Sequence, residues 1–520
     1  MQTLKKLFDL NNIEKLFFGF VFAALFAGIG RFPFLDPDSY LWLEKSFEIY
    51  WNNNWLSFHP FLGKPPLYMW LNALSLKIFG VHTWAFMLPT QVFSFLLVAS
   101  IYILAKELFS RKEALLASFI FFASANFLFL RFAFKEDILC AFFVTMGFWF
   151  LVKFLKKQKP KYLFGIYVAS FLALFVRSTF GMMPLIVLFI YFVKEAPIRK
   201  AILNHILIQF LAVLFSISLI LPWLIVQYQI YGSGFTYLLL KEHVLRLFMT
   251  HGSSGHRDNE WFNYFLTVQA IYLPFAVALI PAFVASFKNK KLQSLVLWFV
   301  IPFIIFSASG ELKVIRYLMF AYVPLSIMLA NYFLNVQVSR RERNFITGIG
   351  AIAVIFVLGL ISAGLNSSDS FTQLINPLLI PYLLLNIIAT VLLITYFWGQ
   401  KEFLKHGVTL TTLSVIALVT LSFMHLQTAY PEAQFQRNLG KTLGKTLKTN
   451  LIYGYQTGVR QMAHLEKNFV IVDDLNKIPY DAEIISGVKI PNRKFKLVTH
   501  ETSINKGGRE SFEYFIYSTH

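Results

Sequence analysis

The chain has 520 residues, 57% of them hydrophobic and only 14% charged, where a soluble domain carries roughly 25% charged residues, so most of it is expected in lipid. Its single cysteine, Cys140, excludes an intramolecular disulfide and a cysteine-rich metal cluster. The formal net charge of +20 is spread over many short loops rather than gathered in one patch, which argues against nucleic acid as a partner and for membrane topology as the cause.

Crossing about 30 Å of hydrocarbon takes about 20 mostly apolar residues. In chain order, apolar stretches that meet or approach this length run over about 14–30, 84–105, 113–130, 138–155, 162–180, 182–194, 203–226, 263–287, 292–308, 316–336, 345–364, 375–398 and 408–427. The reading is an all-α polytopic membrane protein with about 13 transmembrane helices. The first stretch has no convincing small-residue cleavage site and reads as an uncleaved anchor. The fifth and sixth abut and are short, so a re-entrant segment or a tight turn is expected there. Residues 1–428 form the membrane domain, with two long polar loops at 31–77 and 228–262. From 429 to 520 the composition changes to alternating, β-prone pieces such as NFVIVDD, AEIISGV, KFKLVTHE and EYFIYST, preceded by a helix-like TGVRQMAHLEKN. A small α/β domain is expected there.

With the N-terminus on the cytoplasmic side, 22 of the 47 Lys and Arg fall in seven short inside loops, 12 on the outer stretches and 13 in the C-terminal region. Every inside loop is basic and short, which sets the orientation. The expectation is a multi-pass protein of the cell inner membrane, with its C-terminal domain on the periplasmic side.

The outer stretches differ in kind. The first loop, RFPFLDPDSYLWLEKSFEIYWNNNWLSFHPFLGKPPLYMW, mixes acids, aromatics, His59 and a lysine pinned before two prolines. Six pieces share this outer side: Asp36-Pro37-Asp38-Ser39-Tyr40; Gly63-Lys64-Pro65-Pro66-Leu67; Arg131 through Lys135-Glu136-Asp137; Arg177-Ser178-Thr179; Glu242-His243 with Arg246, His251, His256 and Arg257; and Glu311, Lys313, Arg316 and Tyr317. Ionisable groups at span ends cost desolvation energy and usually face a cavity or one another. Glu44, Lys45, Glu48 and Lys77 read as ordinary surface charges or helix-tying ion pairs. Tyr40, Trp42, Trp51, Trp55, Trp70 and Trp223 read first as interface anchors, with stacking on a sugar or lipid chain as the sharper alternative. The glycine-serine clusters at 232–234 and 252–255 read as a mobile outer loop. His59, His82 and His425 have no partner that can be named from the sequence.

The order of these pieces resembles the GT-C fold, polyprenyl-phosphate-sugar-dependent membrane glycosyltransferases, which include the aminoarabinose transferase of lipid A and the protein O-mannosyltransferases. The matching residues are Asp36…Tyr40, Lys64-Pro65-Pro66-Leu67…Trp70, Phe79-Gly80, Arg131…Glu136-Asp137, Leu221-Pro222-Trp223, Glu242-His243…Arg246 and Lys313…Arg316-Tyr317…Pro324, spread over about 14–335. KPPL in a first outer loop is fairly specific; the other pieces persuade by their order and sidedness. Three positions depart from the pattern. Gly63 stands where an acidic residue often precedes KPP, Pro37 follows Asp36 where a Glu is usual, and Arg177-Ser178 replaces a Lys-Gly step.

The resemblance implies a polyprenyl-phosphate sugar as donor and an exported lipid, glycan or protein as acceptor, with membrane lipids around both. It implies inverting transfer on the periplasmic side. Lys64, Arg246, Lys313 and Arg316 are the candidate cations for the donor phosphate. Asp36 or Asp38 is the candidate base, and Asp137 orients the base or the acceptor. Tyr40, Arg131, Glu136, His243 and Tyr317 are candidate substrate contacts. The identity of any metal is open; Gly63 puts a divalent ion in doubt, and His243 or the two carboxylates Asp36 and Asp38 are its candidate ligands. The competing reading is a transporter or flippase of an anionic lipid-linked sugar. Such proteins tend to show internal repeats and midplane charges, whereas here there is no obvious repeat and the charges lie at one face.

Overall fold

The computed structural model describes residues 11–26, 29–30, 37–58, 64–124, 127, 136–177, 179–243, 263–272, 275–308 and 315–365, isolated positions from 384 to 395, residue 447, and the strand residues 451–455, 468–472, 482–486, 495–504 and 511–519. Fifteen helices lie among them. They are α1 (Asn12–Phe26), α2 (Pro37–Asn52), α3 (Leu67–Phe79), α4 (Thr83–Leu108), α5 (Arg111–Phe122), α6 (Asp137–Lys157), α7 (Pro160–Val176), α8 (Met183–Lys194), α9 (Ala196–Leu203), α10 (Ile206–His243), α11 (Asn263–Ile271), α12 (Leu279–Lys288), α13 (Gln293–Ala308), α14 (Met319–Asn335) and α15 (Arg340–Leu365). Among the described residues, Thr83–Leu108, Asp137–Lys157, Ile206–Lys241, Lys290–Ala308 and Arg316–Asn335 are long and apolar enough to cross a membrane, and several shorter apolar helices pack beside them. The expected spans at 375–398 and 408–427 lie largely or wholly outside the described residues.

α6 is the hub: it packs against α4, α7 and α14, and α4 and α14 also hold α5. Lipid offers no hydrophobic drive to bring helices together, so close approach depends on small residues and shape. A Cβ at Gly147 of α6 would meet Pro184 Cγ of α8 at 2.6 Å, and one at Gly165 of α7 would meet the Phe150 ring of α6 at 2.6 Å. Phe148 stacks on Trp298 of α13 with ring centroids 4.0 Å apart, and Trp298 is fully buried. Gly147→Val therefore forces α6 from α8 and is expected to cost about 1–3 kcal/mol by overpacking. The check is thermal unfolding of the detergent-solubilised protein, read against the conservative exposed change Leu74→Met.

Among the described residues, those of four of the seven stretches read as inside loops gather at one end of the bundle. Glu14 at the start of α1 is 1% exposed, accepts the Tyr102 hydroxyl from the end of α4 and lies 3.4 Å from Arg111 of α5. At the same end Lys153 and Lys156 reach Glu107 at 3.4 and 3.2 Å, and Lys291 lies 5.9 Å from the Phe109 ring. Ser110 and Glu113 close a capping box on α5.

Two sequence readings change, and a third is decided between its alternatives. The first polar loop contains two helices, α2 and α3, each too short to cross a bilayer. The second loop does not open at 228: α10 runs on to His243 through a break at Gly232, whose φ of 58° and ψ of −139° suit glycine. The abutting spans resolve as the tight turn: α7 ends at Val176, a 3₁₀ turn covers Thr179–Met182, and α8 follows. Only glycine fits at 181, where a Cβ would meet the Leu174 nitrogen at 2.5 Å.

Near the C-terminus the described strands are β1 (Leu451–Tyr455), β2 (Asn468–Val472), β3 (Glu483–Ser486), β4 (Phe495–Ile504) and β5 (Ser511–Thr519), in the order β2-β1-β3-β5-β4. β1 pairs parallel with β2 and β3, while β5 runs antiparallel to β3 and β4. Four strands fall on the alternating stretches. β1, reading LIYGY, was not anticipated, because a glycine interrupts its short apolar run. The expected helix at 457–467 lies outside the described residues.

Candidate active site

The geometry begins with α2 and α3. Their polar, aromatic sequence gives each helix one face to bury against the other, and they pack together. Trp42, near the start of α2, meets Tyr68, near the start of α3, with centroids 5.8 Å apart at 87°. At the other ends Lys77 of α3 lies 5.5 Å from the Tyr50 ring of α2 and donates to Asn53. Start meets start and end meets end, so the two helices run parallel. Asp38 and Tyr40 therefore lie in the first turn of α2 beside the first turn of α3, which Lys64-Pro65-Pro66 leads into. Pro65 and Pro66 are buried and Lys64 is partly buried. A proline just ahead of a helix gives up a backbone N–H that has no partner there anyway, and it pre-sets φ.

The residues that follow α2, 53–58, are tied down from two sides. Trp70 Nε1 donates to the Trp55 carbonyl at 2.7 Å. Gln227 of α10, fully buried, donates from Nε2 to the carbonyls of Leu56 at 2.8 Å and Phe58 at 2.9 Å. Gln227→Leu leaves both carbonyls without this donor, at an expected cost of about 1–3 kcal/mol. Faster limited proteolysis within 53–58, with the helices still protected, is the expected result.

The third element is the start of α6. The carboxylate of Glu136 is within electrostatic reach of the Tyr68 hydroxyl, which is itself 3.0 Å from Thr90 Oγ1 of α4. Three helix starts, those of α2, α3 and α6, thus come to one end of the bundle. The partial positive charge of helix N-termini favours anions there.

At this end sits a buried charge cluster. Asp137 and Glu136 are 2% and 4% exposed, and Arg177, just past the end of α7, is 8% exposed. Arg177 forms a close ion pair with Asp137 and lies 3.8 Å from Glu136. Its guanidinium stands 5.0 Å from the Tyr317 ring centroid, and Arg316 stands 5.6 Å from the same ring. Asp137 Oδ2 is buried with no hydrogen-bond partner among the described residues. The hairpin of α6 and α7 brings the acids and Arg177 together, while Trp70 of α3, 5.3 Å from Phe175, fastens the KPPL helix to the same corner.

Of the residues singled out by sequence, the structure brings together Glu136, Asp137, Arg316 and Tyr317 around Arg177; Lys64 leads into α3, whose Tyr68 lies within reach of Glu136, and the backbones of Asp38 and Tyr40 start the helix beside it. His243 ends α10, and nothing is described of its side chain; Asp36, Arg131, Arg246 and Lys313 lie outside the described residues. Arg177 had been placed on this face but given no role. Its partner is forty residues away, and a lone arginine closing an apolar run carries no sequence signal for that. Two supposed interface anchors are core residues instead: Trp42 is 3% exposed, and Trp223, fully buried, packs on Phe235 at 5.4 Å. Of the two readings for Lys45 the ion pair holds, within α2 rather than between helices: it lies 3.3 Å from Glu44 and 3.2 Å from Glu48. Among the described residues no three His, Cys, Asp or Glu side chains gather at metal-binding distance. The two acids that do approach one another turn toward Arg177.

Comparison with known proteins points one way. The family described as dolichyl-phosphate-mannose-protein mannosyltransferase matches residues 63–226. An uncharacterized protein of Aquifex aeolicus is 26% identical over 404 residues, 76% of this chain and 74% of that one. The undecaprenyl phosphate-alpha-4-amino-4-deoxy-L-arabinose arabinosyl transferase 2 of Proteus mirabilis is 24% identical over 356 residues, 63% of this chain and 62% of that one. The chain thus matches a little over three-fifths of that transferase's length. In three dimensions, the crystal structure of ArnT from Cupriavidus metallidurans bound to undecaprenyl phosphate superposes with a TM-score of 0.68 at 14% identity, covering 97% of both chains.

Proposed function

We propose that this membrane glycosyltransferase of the GT-C fold moves one sugar from a polyprenyl phosphate to an acceptor at the bundle end that holds Lys64, Asp137 and Arg177. The observation that carries the reading is the parallel packing of α2 and α3. It brings the acid-bearing first turn of α2 and the first turn of α3, which Lys64 leads into, to the rim where α6 also starts, which supports a site of cation, helix N-termini and carboxylates at that end of the bundle.

In the reaction, an acceptor hydroxyl attacks the sugar's anomeric carbon from the face opposite the phosphate. The new carbon–oxygen bond forms as the bond to phosphate oxygen breaks, the anomeric centre inverts, and the hydroxyl proton passes to a carboxylate. Asp36 or Asp38 is that base; a carboxylate within hydrogen-bond reach is what the step requires. The leaving group changes from phosphodiester to phosphomonoester and gains negative charge. Cations aimed at it therefore act more strongly in the transition state than in the ground state. Lys64 comes first, followed by Arg246, Lys313 and Arg316, where the arginine fork suits two phosphate oxygens. Asp137, clamped by Arg177, holds the site's shape from within and presents Oδ2 toward the acceptor. Tyr40, Arg131, Glu136, His243 and Tyr317 line the substrate. Should a divalent ion bind, His243 is a candidate ligand; no step here depends on one.

The enzyme sits in the inner membrane with its N-terminus cytoplasmic and its C-terminal region outside. This follows from the basic end of the bundle that holds Arg111, Lys153, Lys156 and Lys291. The acceptor is a hydroxyl of an exported lipid, glycan or protein. The test is turnover of a labelled polyprenyl-phosphate sugar with membrane acceptor by the purified protein. Covalent transfer supports the reading; movement of the labelled lipid across a bilayer with no transfer would establish the flippase instead.

A further inference from the structure

Tyr68 of α3 buries a hydroxyl where a phenylalanine ring would pack equally well. The residue is fully buried, and its ring meets Trp42 of α2 edge-on; that contact needs no oxygen. A buried hydroxyl costs stability unless polar groups receive it. Here they come from α3, α4 and the start of α6. Thr90 Oγ1 of α4 lies 3.0 Å from the hydroxyl. Asn72, one turn further along α3, sets its amide beside it, and Glu136 acts on it through charge. Thr90 and Asn72 are fully buried and Glu136 is 4% exposed, so the field of that carboxylate is weakly screened at the hydroxyl.

Arg177 is shared unequally between the two buried acids. It forms a close ion pair with Asp137 and stands 3.8 Å from Glu136. The more weakly held carboxylate is the one within reach of the tyrosine. Its negative charge favours one sense for the hydroxyl pair: Thr90 donates to the Tyr68 oxygen, and the Tyr68 O–H turns toward Glu136. We infer that Tyr68 is a positioning residue for sugar transfer, its O–H dipole, held by Thr90, keeping Glu136 in place so that Arg177 stays with Asp137. The inference rests on the reading of this corner as the transfer site and adds a second group, after Arg177, that sets the roles of the two acids apart. A dipole fixed before the reaction costs no reorganisation when charge moves. Without it, Glu136 draws Arg177 from Asp137, and the acceptor meets a displaced carboxylate. Donor binding, carried by cations on other segments, is untouched.

The experiment uses the full chain, purified, with a labelled polyprenyl-phosphate sugar and membrane acceptor. Tyr68→Phe and Thr90→Val each keep the side chain's shape and remove one hydroxyl. Each is expected to lower kcat about tenfold, with the donor KM within about twofold of wild type. The double variant should also stay near a tenfold loss, because both hydroxyls act through one dipole. Thr90→Ser restores the hydroxyl and should bring kcat back to within about twofold of wild type. Ser100→Ala is the packing control: it removes another buried hydroxyl of α4, bonded to the Leu97 carbonyl at 2.7 Å, and should leave kcat unchanged. Melting temperatures are measured on the same preparations. Undiminished kcat in Tyr68→Phe overturns the inference while leaving the transfer reading intact. A loss of about a hundredfold in the double variant makes the two hydroxyls independent and overturns it as well. So does a loss that Thr90→Ser fails to restore, or one that tracks melting temperature and appears equally in Ser100→Ala. Absence of transfer by the wild type itself removes the transfer reading, and the inference with it.

Discussion

Replacing Arg177 with Met is expected to destabilise the protein by about 3–5 kcal/mol and to reduce sugar transfer by two orders of magnitude or more. Arg177, Asp137 and Glu136 are each under a tenth exposed, so the change takes the close partner from the buried Asp137 carboxylate and a cation from beside Glu136. The cost comes from that unpaired charge rather than from the lost attraction, because a buried pair and an apolar replacement of the same shape are often nearly equal in stability. Two further variants separate structure from chemistry. Asp137→Asn added to Arg177→Met removes that charge and should recover part of the melting temperature, while transfer stays low because the clamped carboxylate is gone. Arg177→Lys keeps the charge but loses the planar fork and the face-on contact with Tyr317, and should fall between. Thermal unfolding and turnover, measured on the same preparations, check all three. Unchanged melting of Arg177→Met would mean that the cluster is solvated and the clamp is not real.

Lys64→Ala is expected to lower kcat by roughly 10²–10³-fold with little change in melting. The lysine stands ahead of α3, restrained by two buried prolines, so its ammonium is held in place and costs little reorganisation as charge develops on the departing phosphate. Its effect should be larger on kcat than on KM, because the extra negative charge exists only past the ground state. Lys64→Arg should retain a sizeable part of the activity. The double variant Asp36→Ala/Asp38→Ala should lose about 10²–10⁴-fold through the missing base, and the loss should be smaller with acceptors whose hydroxyl is more acidic. If Lys64→Ala raised KM alone, the lysine would be a docking contact and another cation would carry the leaving group.

Parts of this arrangement are legible in the sequence for definite reasons. Apolar runs bounded by lysine and arginine mark spans and sides, because the cost of burying charge in hydrocarbon is paid residue by residue and needs no partner. KPPL is readable because proline acts on its own backbone. The first polar loop was legible as a stretch unlike the apolar runs around it, but not as two helices lying parallel. Neither helix is long enough to span, and the contacts that align them, Trp42 with Tyr68 and Tyr50 with Lys77, join residues 26 and 27 apart in sequence. Gly232 misled in the other direction. A Gly-Ser-Gly run has the composition of a loop, yet α10 continues past it, with Trp223 on one side of the break packed on Phe235 on the other.

The sequence by itself determined a polytopic membrane chain, its division into a basic end and a chemically mixed end, and the residue types available at the latter. Local terms, hydrophobicity and backbone restriction, are enough for that. Tertiary structure alone decided that Arg177 belongs to Asp137, that two presumed interface tryptophans are core, and that the starts of α2, α3 and α6 converge. Those outcomes depend on which helices pack together, and packing is a property of pairs of surfaces distant in sequence that no single stretch of residues encodes.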